Sequence, residues 1–183
     1  MYSAPDLRKG LKIEIDGDPY EVVDFQFVKP GKGQALYRCK IKNLLTEATI
    51  DKTYRSVEKI DRPNLLEKKM IYSYADGEDY VFMDGETYEQ ITIGGDILHE
   101  QRFFLVEDME VGVLFHNDRP IEVTLPYFIE KEIMVTEPGV RGDTATNVQK
   151  PARIDNGYEI QVPLFVNQGD IVRIDTRTGK YAD

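Results

Sequence analysis

One short segment, Lys29-Pro30-Gly31-Lys32-Gly33-Gln34, sets a primary amine between two glycines with a proline just ahead. Pro30 fixes one φ angle, Gly31 and Gly33 free the backbone on either side of Lys32, and no bulky apolar side chain ties the segment to a core. The pattern predicts a projecting tip with Lys32 at its apex. An amine so placed can meet phosphate. Downstream, Arg38, Lys40 and Lys42 fall on one face of an alternating stretch. With Lys29 they are candidates for contact with an RNA backbone. Taken alone these are weak signals, because a turn lysine or a cationic strand face is usually just solvated.

Other chemistry is sparse. His99 and His116 are the two histidines, and neither stands at zinc spacing from cysteine or carboxylate. Both read as turn or surface residues. The single cysteine, Cys39, alternates with Tyr37 and Ile41 and reads as a small core hydrophobe, not a nucleophile. Gly31-Lys32-Gly33 lacks the spacing of a nucleotide-binding P-loop, and no helix follows it. Neither catalytic nor metal-binding residues are expected, and the chain does not read as an enzyme.

The 183 residues carry a net charge of −10, with 41% hydrophobic and 31% charged residues, a folded composition. No apolar run approaches the roughly 20 residues of a membrane-spanning helix, and residues 1–10 show no secretory pattern. One cysteine suits a reducing compartment, so the cytoplasm is expected, with no membrane partner. The charge is uneven. Residues 1–63 hold 12 Lys/Arg against 10 Asp/Glu, residues 64–129 hold 4 against 14, and residues 130–183 hold 7 against 9. The middle third carries the whole deficit and is the part least suited to bare phosphate.

The elements that must position Lys32 read as strands. Leu11, Ile13 and Ile15 alternate with polar residues. Tyr20 and Val22 then follow one parity and Val23, Phe25 and Phe27 the other, which predicts a β-bulge at Val22-Val23. Asp61-Arg62-Pro63-Asn64 reads as a linker. Beyond it, Met70, Tyr72 and Tyr74 alternate, Gly77 and Asp84-Gly85 mark hairpins, Asp96 is placed as the N-cap of a short helix over 96–105, and residues 116–120 form a turn. A third stretch of strands starts near Glu130, with a polar loop over 139–147. The expected architecture is all-β: three small β-barrels in series, over 1–63, 64–129 and 130–183.

The loop Lys29-Pro30-Gly31-Lys32-Gly33-Gln34-Ala35 closely resembles that of the bacterial translation elongation factor P family. A second match is independent of it: Lys150-Pro151-Ala152, Gly157, Ile160, Val162-Pro163 and Gly169-Asp170 are similar to the family's C-terminal signature, and Tyr80-Val81-Phe82-Met83-Asp84 to its middle domain. The resemblance runs from end to end. It implies an SH3-like (KOW-like) barrel followed by two OB-fold barrels in an L-shaped, tRNA-like outline. It also implies a monomer that binds the 70S ribosome, through rRNA and ribosomal proteins, next to the peptidyl-tRNA. There Lys32 reaches toward the CCA end and helps peptide-bond formation at consecutive prolines. The loop Gly142-Asp143-Thr144 is implied to approach the messenger codon in the exit site. No cofactor is implied beyond a covalent extension of Lys32 by a lysine-modifying enzyme; β-lysylation, an aminopentanol-type extension and no modification all stay open. Two other readings stand beside this one: a paralogue with a different context preference, and a general single-stranded RNA binder, which needs aromatics exposed on a cationic groove.

Overall fold

A computed structural model describes residues 1–139 and 148–183. The N-terminal part begins with β1 (Tyr2–Ser3), β2 (Lys12–Ile15), β3 (Asp18–Val28), β4 (Leu36–Asn43), β5 (Thr49–Arg55) and β6 (Lys59–Ile60). Strands β2-β3-β4-β5 form an antiparallel meander, and β1 pairs with β6. Leu7, Leu11, Ile13, Val22, Cys39, Ile41, Tyr54 and Ile60 make its core. The parity slip has the predicted cause. Val22 faces Ile41 and Asp24 faces Lys40, so Val23 is the extra residue of a bulge, and the core-facing set passes from Tyr20 and Val22 to Phe25 and Phe27.

A five-stranded sheet follows, ordered β11-β10-β7-β8-β9, from β7 (Leu65–Asp76), β8 (Asp79–Asp84), β9 (Gln90–Gly94), β10 (Glu110–His116) and β11 (Arg119–Thr124). Phe82, on β8, is fully buried, its ring centroid 5.4 Å from that of Tyr72. The alternation expected of Tyr74 fails. Tyr72 faces Phe82 but Tyr74 faces Val81, so a second bulge at Ser73 reverses the parity and leaves Tyr74 52% exposed.

The helix expected over 96–105 is two short pieces, α1 (Gly95–Leu98) and a 3-10 turn over His99–Phe104, separated by a positive φ at His99. Asp96 is not its N-cap. Gly94 is, because Asp79 still pairs with Gly94 and Gly95 N–H donates to the Glu78 carbonyl at 3.1 Å, which carries the ladder up to the first helical residue. The next hairpin is also tighter than expected. Asn117 and Asp118, both at positive φ, make the turn alone. His116 therefore belongs to β10 and is buried, not a surface residue, with Nε2 3.9 Å from the Glu14 carboxylate.

The C-terminal strands are β12 (Phe128–Glu132), β13 (Val135–Thr136), β14 (Gln149–Arg153), β15 (Glu159–Pro163), β16 (Ile171–Asp175) and β17 (Lys180–Ala182), in sheets β12-β16-β17 and β13-β14-β15. Two compact units result: Met1–Glu67 with Leu114–Glu122, and Lys68–Val113 with Val123–Asp183. In the first, Asn117 N–H donates to the Asn64 carbonyl at 3.2 Å. In the second, Lys131 is buried and its Nζ donates to the Leu105 carbonyl at 2.7 Å and to both Asp155 carboxylate oxygens at 2.9 and 3.0 Å. Phe103 and Phe104 close on Tyr158 from two sides of its ring, at 4.9 and 5.2 Å. Among the described residues no helix is long and apolar enough to cross a membrane.

Candidate functional site: a lysine-tipped hairpin arm

Strands β3 and β4 stay in register out to Val28 opposite Leu36, and β5 supports β4 to the same point, where Arg55 faces Leu36. By contrast β2 covers β3 only as far as Glu21, which faces Lys12. The end of β3 thus overshoots its barrel as an arm, and the loop over 29–35 is its tip. Residues 29–34 are all exposed, Lys32 among them. Gly33 has φ +141°, a backbone conformation that strains any L side chain. A Cβ on Gly31 or Gly33 would meet nothing within 4 Å, so these glycines shape the tip and fill no space.

The arm has two unlike faces. On the core-facing side, the Tyr37 ring lies 6.2 Å from Phe25, nearly parallel, and 5.1 Å from Phe27. This row continues the buried Cys39 and Ile41 outward, so the packing that stiffens the barrel extends toward the tip. Phe27 is 49% exposed despite its core parity, because no strand lies beyond it. Burial pushes the Cys39 thiol up to about 11, so at neutral pH it holds almost no thiolate, in keeping with a packing role.

The opposite face carries the cations, and the register separates them. Lys40 stands between Asp24 and Asp51. Lys42 stands between Glu21 and Thr49, and Glu21 also meets Lys12 at 3.7 Å. Arg38 stands between Gln26 and Thr53 and has no carboxylate opposite it on either side. The three cations that look equal in sequence are therefore graded, with Arg38 the one not neutralised across the sheet. Lys29, Lys32 and Arg38 fall in a stretch, residues 25–38, that contains no acid. Gly142, Asp143 and Thr144 lie outside the described residues. In the C-terminal signature, Lys150 is buried and its Nζ donates to the Glu137 carbonyl, a structural role.

The described residues form an all-β fold with an exposed amine at the tip of an arm of three strands. This fold is one used by translation factors. A translation initiation factor 5A from Methanococcus jannaschii superposes with a TM-score of 0.58 over 68% of this chain and 91% of that one, at 24% identity. Three family profiles match in order: an elongation factor P KOW-like domain over residues 3–60, an elongation factor P OB domain over 65–123, and an elongation factor P C-terminal domain over 129–183. Elongation factor P of Desulfotalea psychrophila is 51% identical over 99% of this chain and 97% of that protein; that of Desulfosudis oleivorans is 51% identical over 100% and 98%. The chain belongs to the elongation factor P family and is a translation elongation factor.

Proposed function

We propose that this factor binds the 70S ribosome beside the peptidyl-tRNA, directs Lys32 toward the CCA end and speeds peptide-bond formation where consecutive prolines stall it. The observation that carries the reading is the exposed Lys32 amine at the tip of an arm that aromatic packing and a third strand hold straight. Proline is a poor acceptor and donor, and misplaced reactants pay a large entropic barrier. A fixed arm beside the tRNA end restores a productive geometry. The bond is made by ribosomal RNA, so the factor assists the reaction without being an enzyme. It acts as a monomer in the cytoplasm. Lys32, open on all sides, is accessible to a lysine-modifying enzyme, and the mass of the native peptide containing it distinguishes β-lysyl, aminopentanol-type and unmodified forms. The direct test is toeprinting of a Pro-Pro-Pro message in reconstituted translation: the stall is expected to vanish when the purified, native factor is added, and its persistence overturns the reading.

The graded cations give a second expectation. Replacing Arg38, Lys40 and Lys42 together by Gln lowers ribosome affinity and flattens its salt dependence, and Arg38→Gln alone accounts for most of the change. Equal effects from Lys40→Gln and Arg38→Gln would show that cross-strand carboxylates do not matter.

A third concerns Asp143 and Thr144. An aspartate carboxylate accepts from exocyclic base amines and a threonine hydroxyl donates or accepts, so both suit unstacked messenger bases. Changing both to Ala is expected to leave the melting midpoint unchanged and to reduce rescue by an amount that depends on the exit-site codon. Equal rescue at every codon, at wild-type strength, removes Asp143 and Thr144 from messenger recognition.

A further inference from the structure

The C-terminal strands hold a second concentration of rings and cations, remote in sequence from the lysine arm. Tyr127 and Phe128 lead into β12 with 61% and 41% of their surface exposed. The Arg173 guanidinium lies 3.9 Å from the Phe128 ring centroid, and that of Arg177 lies 4.4 Å from Tyr127 and 5.5 Å from Phe128. Each ring thus has a cation over it and a large area still in water.

Arg177 is fixed in place. Its Nε and Nη2 donate to the two Asp175 carboxylate oxygens at 3.1 and 2.9 Å, and this pairing holds the Asp175 carboxyl below the usual carboxylate range. Thr176 N–H donates to the Tyr127 carbonyl at 2.8 Å, so the turn carrying Arg177 is tied to the strand carrying the ring. Among the described residues, Nη1 of Arg177 has no acceptor. From Arg173 to Ala182 the chain carries Arg173, Arg177 and Lys180 against Asp175 alone, whose oxygens Arg177 occupies. Across the ladder between β12 and β16, Glu130 stands opposite Arg173 and Glu132 opposite Ile171, at the end of the ladder away from Phe128.

An OB barrel presents the loop between its fourth and fifth strands to oligonucleotides. With β12 and β13 taken as one bent first strand, that loop here is 176–179, and Arg177 is in it. A ligand that uses both features is flat and anionic. An acidic peptide would satisfy the arginines but leave the ring face bare. We propose that this cluster binds an unpaired nucleotide of RNA. The base stacks on the open face of Tyr127, and the phosphate accepts from Arg177 Nη1.

The site shares no residue with the Lys32 arm, so either reading can fail while the other stands. The test is an NMR titration of the full-length protein with a mixed-sequence single-stranded RNA hexanucleotide at low salt. Shifts are expected at the Tyr127 and Phe128 rings and the Arg177 Nε–H. Tyr127→Ala and Arg177→Gln should each weaken the affinity read there about tenfold, while Tyr127→Phe and Lys32→Ala leave it unchanged. Should Tyr127→Ala lower the melting midpoint, Tyr127→Leu, which keeps apolar volume without the ring, carries the same expectation. Shifts confined to residues 25–42, unchanged affinity in Tyr127→Ala and Tyr127→Leu, or tighter binding of an Asp/Glu hexapeptide at the cluster would each overturn the proposal.

Discussion

Lys32→Ala is expected to abolish relief of stalls on a Pro-Pro-Pro message while leaving ribosome binding close to wild type. The amine is one group at the end of a long arm, and the described residues give it no hydrogen-bond partner, so its loss disturbs no packing. Ribosome binding is expected to be spread over many contacts of the 183-residue chain and to survive the removal of one of them. The effect on rate is large for the opposite reason. Positioning acts through the last few ångströms of approach, and restraint of two reactants is worth up to about 7–11 kcal/mol in favourable cases. Toeprints at the proline codons, with sedimentation of the variant on ribosomes as the binding control, give the answer. Full rescue by the alanine variant would remove Lys32 from the mechanism.

The largest loss of stability is expected from Phe82→Ala. Phe82 has no exposed surface, sits in the middle strand of three consecutive ones and lies against the Tyr72 ring. Its truncation removes a large apolar transfer term and leaves a cavity that a five-stranded sheet cannot collapse, at a cost of about 3–5 kcal/mol. At ~2–4 °C per kcal/mol for a chain of this size, the melting midpoint falls by roughly 6–20 °C. Phe82→Leu, which keeps most of the volume, costs under about 1.5 kcal/mol. A calorimetric scan of both variants checks the pair. Equal, small shifts would mean that the site is not tightly packed.

Some of this was legible from residue order because the deciding signal is local. Two consecutive valines at positions 22 and 23 break an alternation, and only a bulge reconciles the two halves. A proline and two glycines around Lys32 leave little but an exposed tip. The bulge at Ser73 is silent by comparison: Met70, Ile71 and Tyr72 are all apolar, so no parity slip marks it, and the exposure of Tyr74 follows from its register against β8. His116 is buried because the hairpin tip it borders clusters with residues far earlier in the chain, among them Glu14 and Asn64. The grading of Arg38 over Lys40 needs the register of three strands at once. Phe27 could have been suspected from length alone, since an eleven-residue β3 beside a four-residue β2 must overshoot.

The first compact unit is discontinuous: it needs residues 1–67 and also 114–122. That has a consequence for how the molecule is made. When Glu67 leaves the ribosome, the meander of β2 to β5 can form, but the hairpin that carries His116 to Glu14 has not been synthesised. At ~5–20 residues per second, the missing piece follows roughly 3–11 s later. During that interval the nascent chain carries a finished lysine arm on an unfinished barrel, with the Lys32 tip exposed before the unit that bears it has closed.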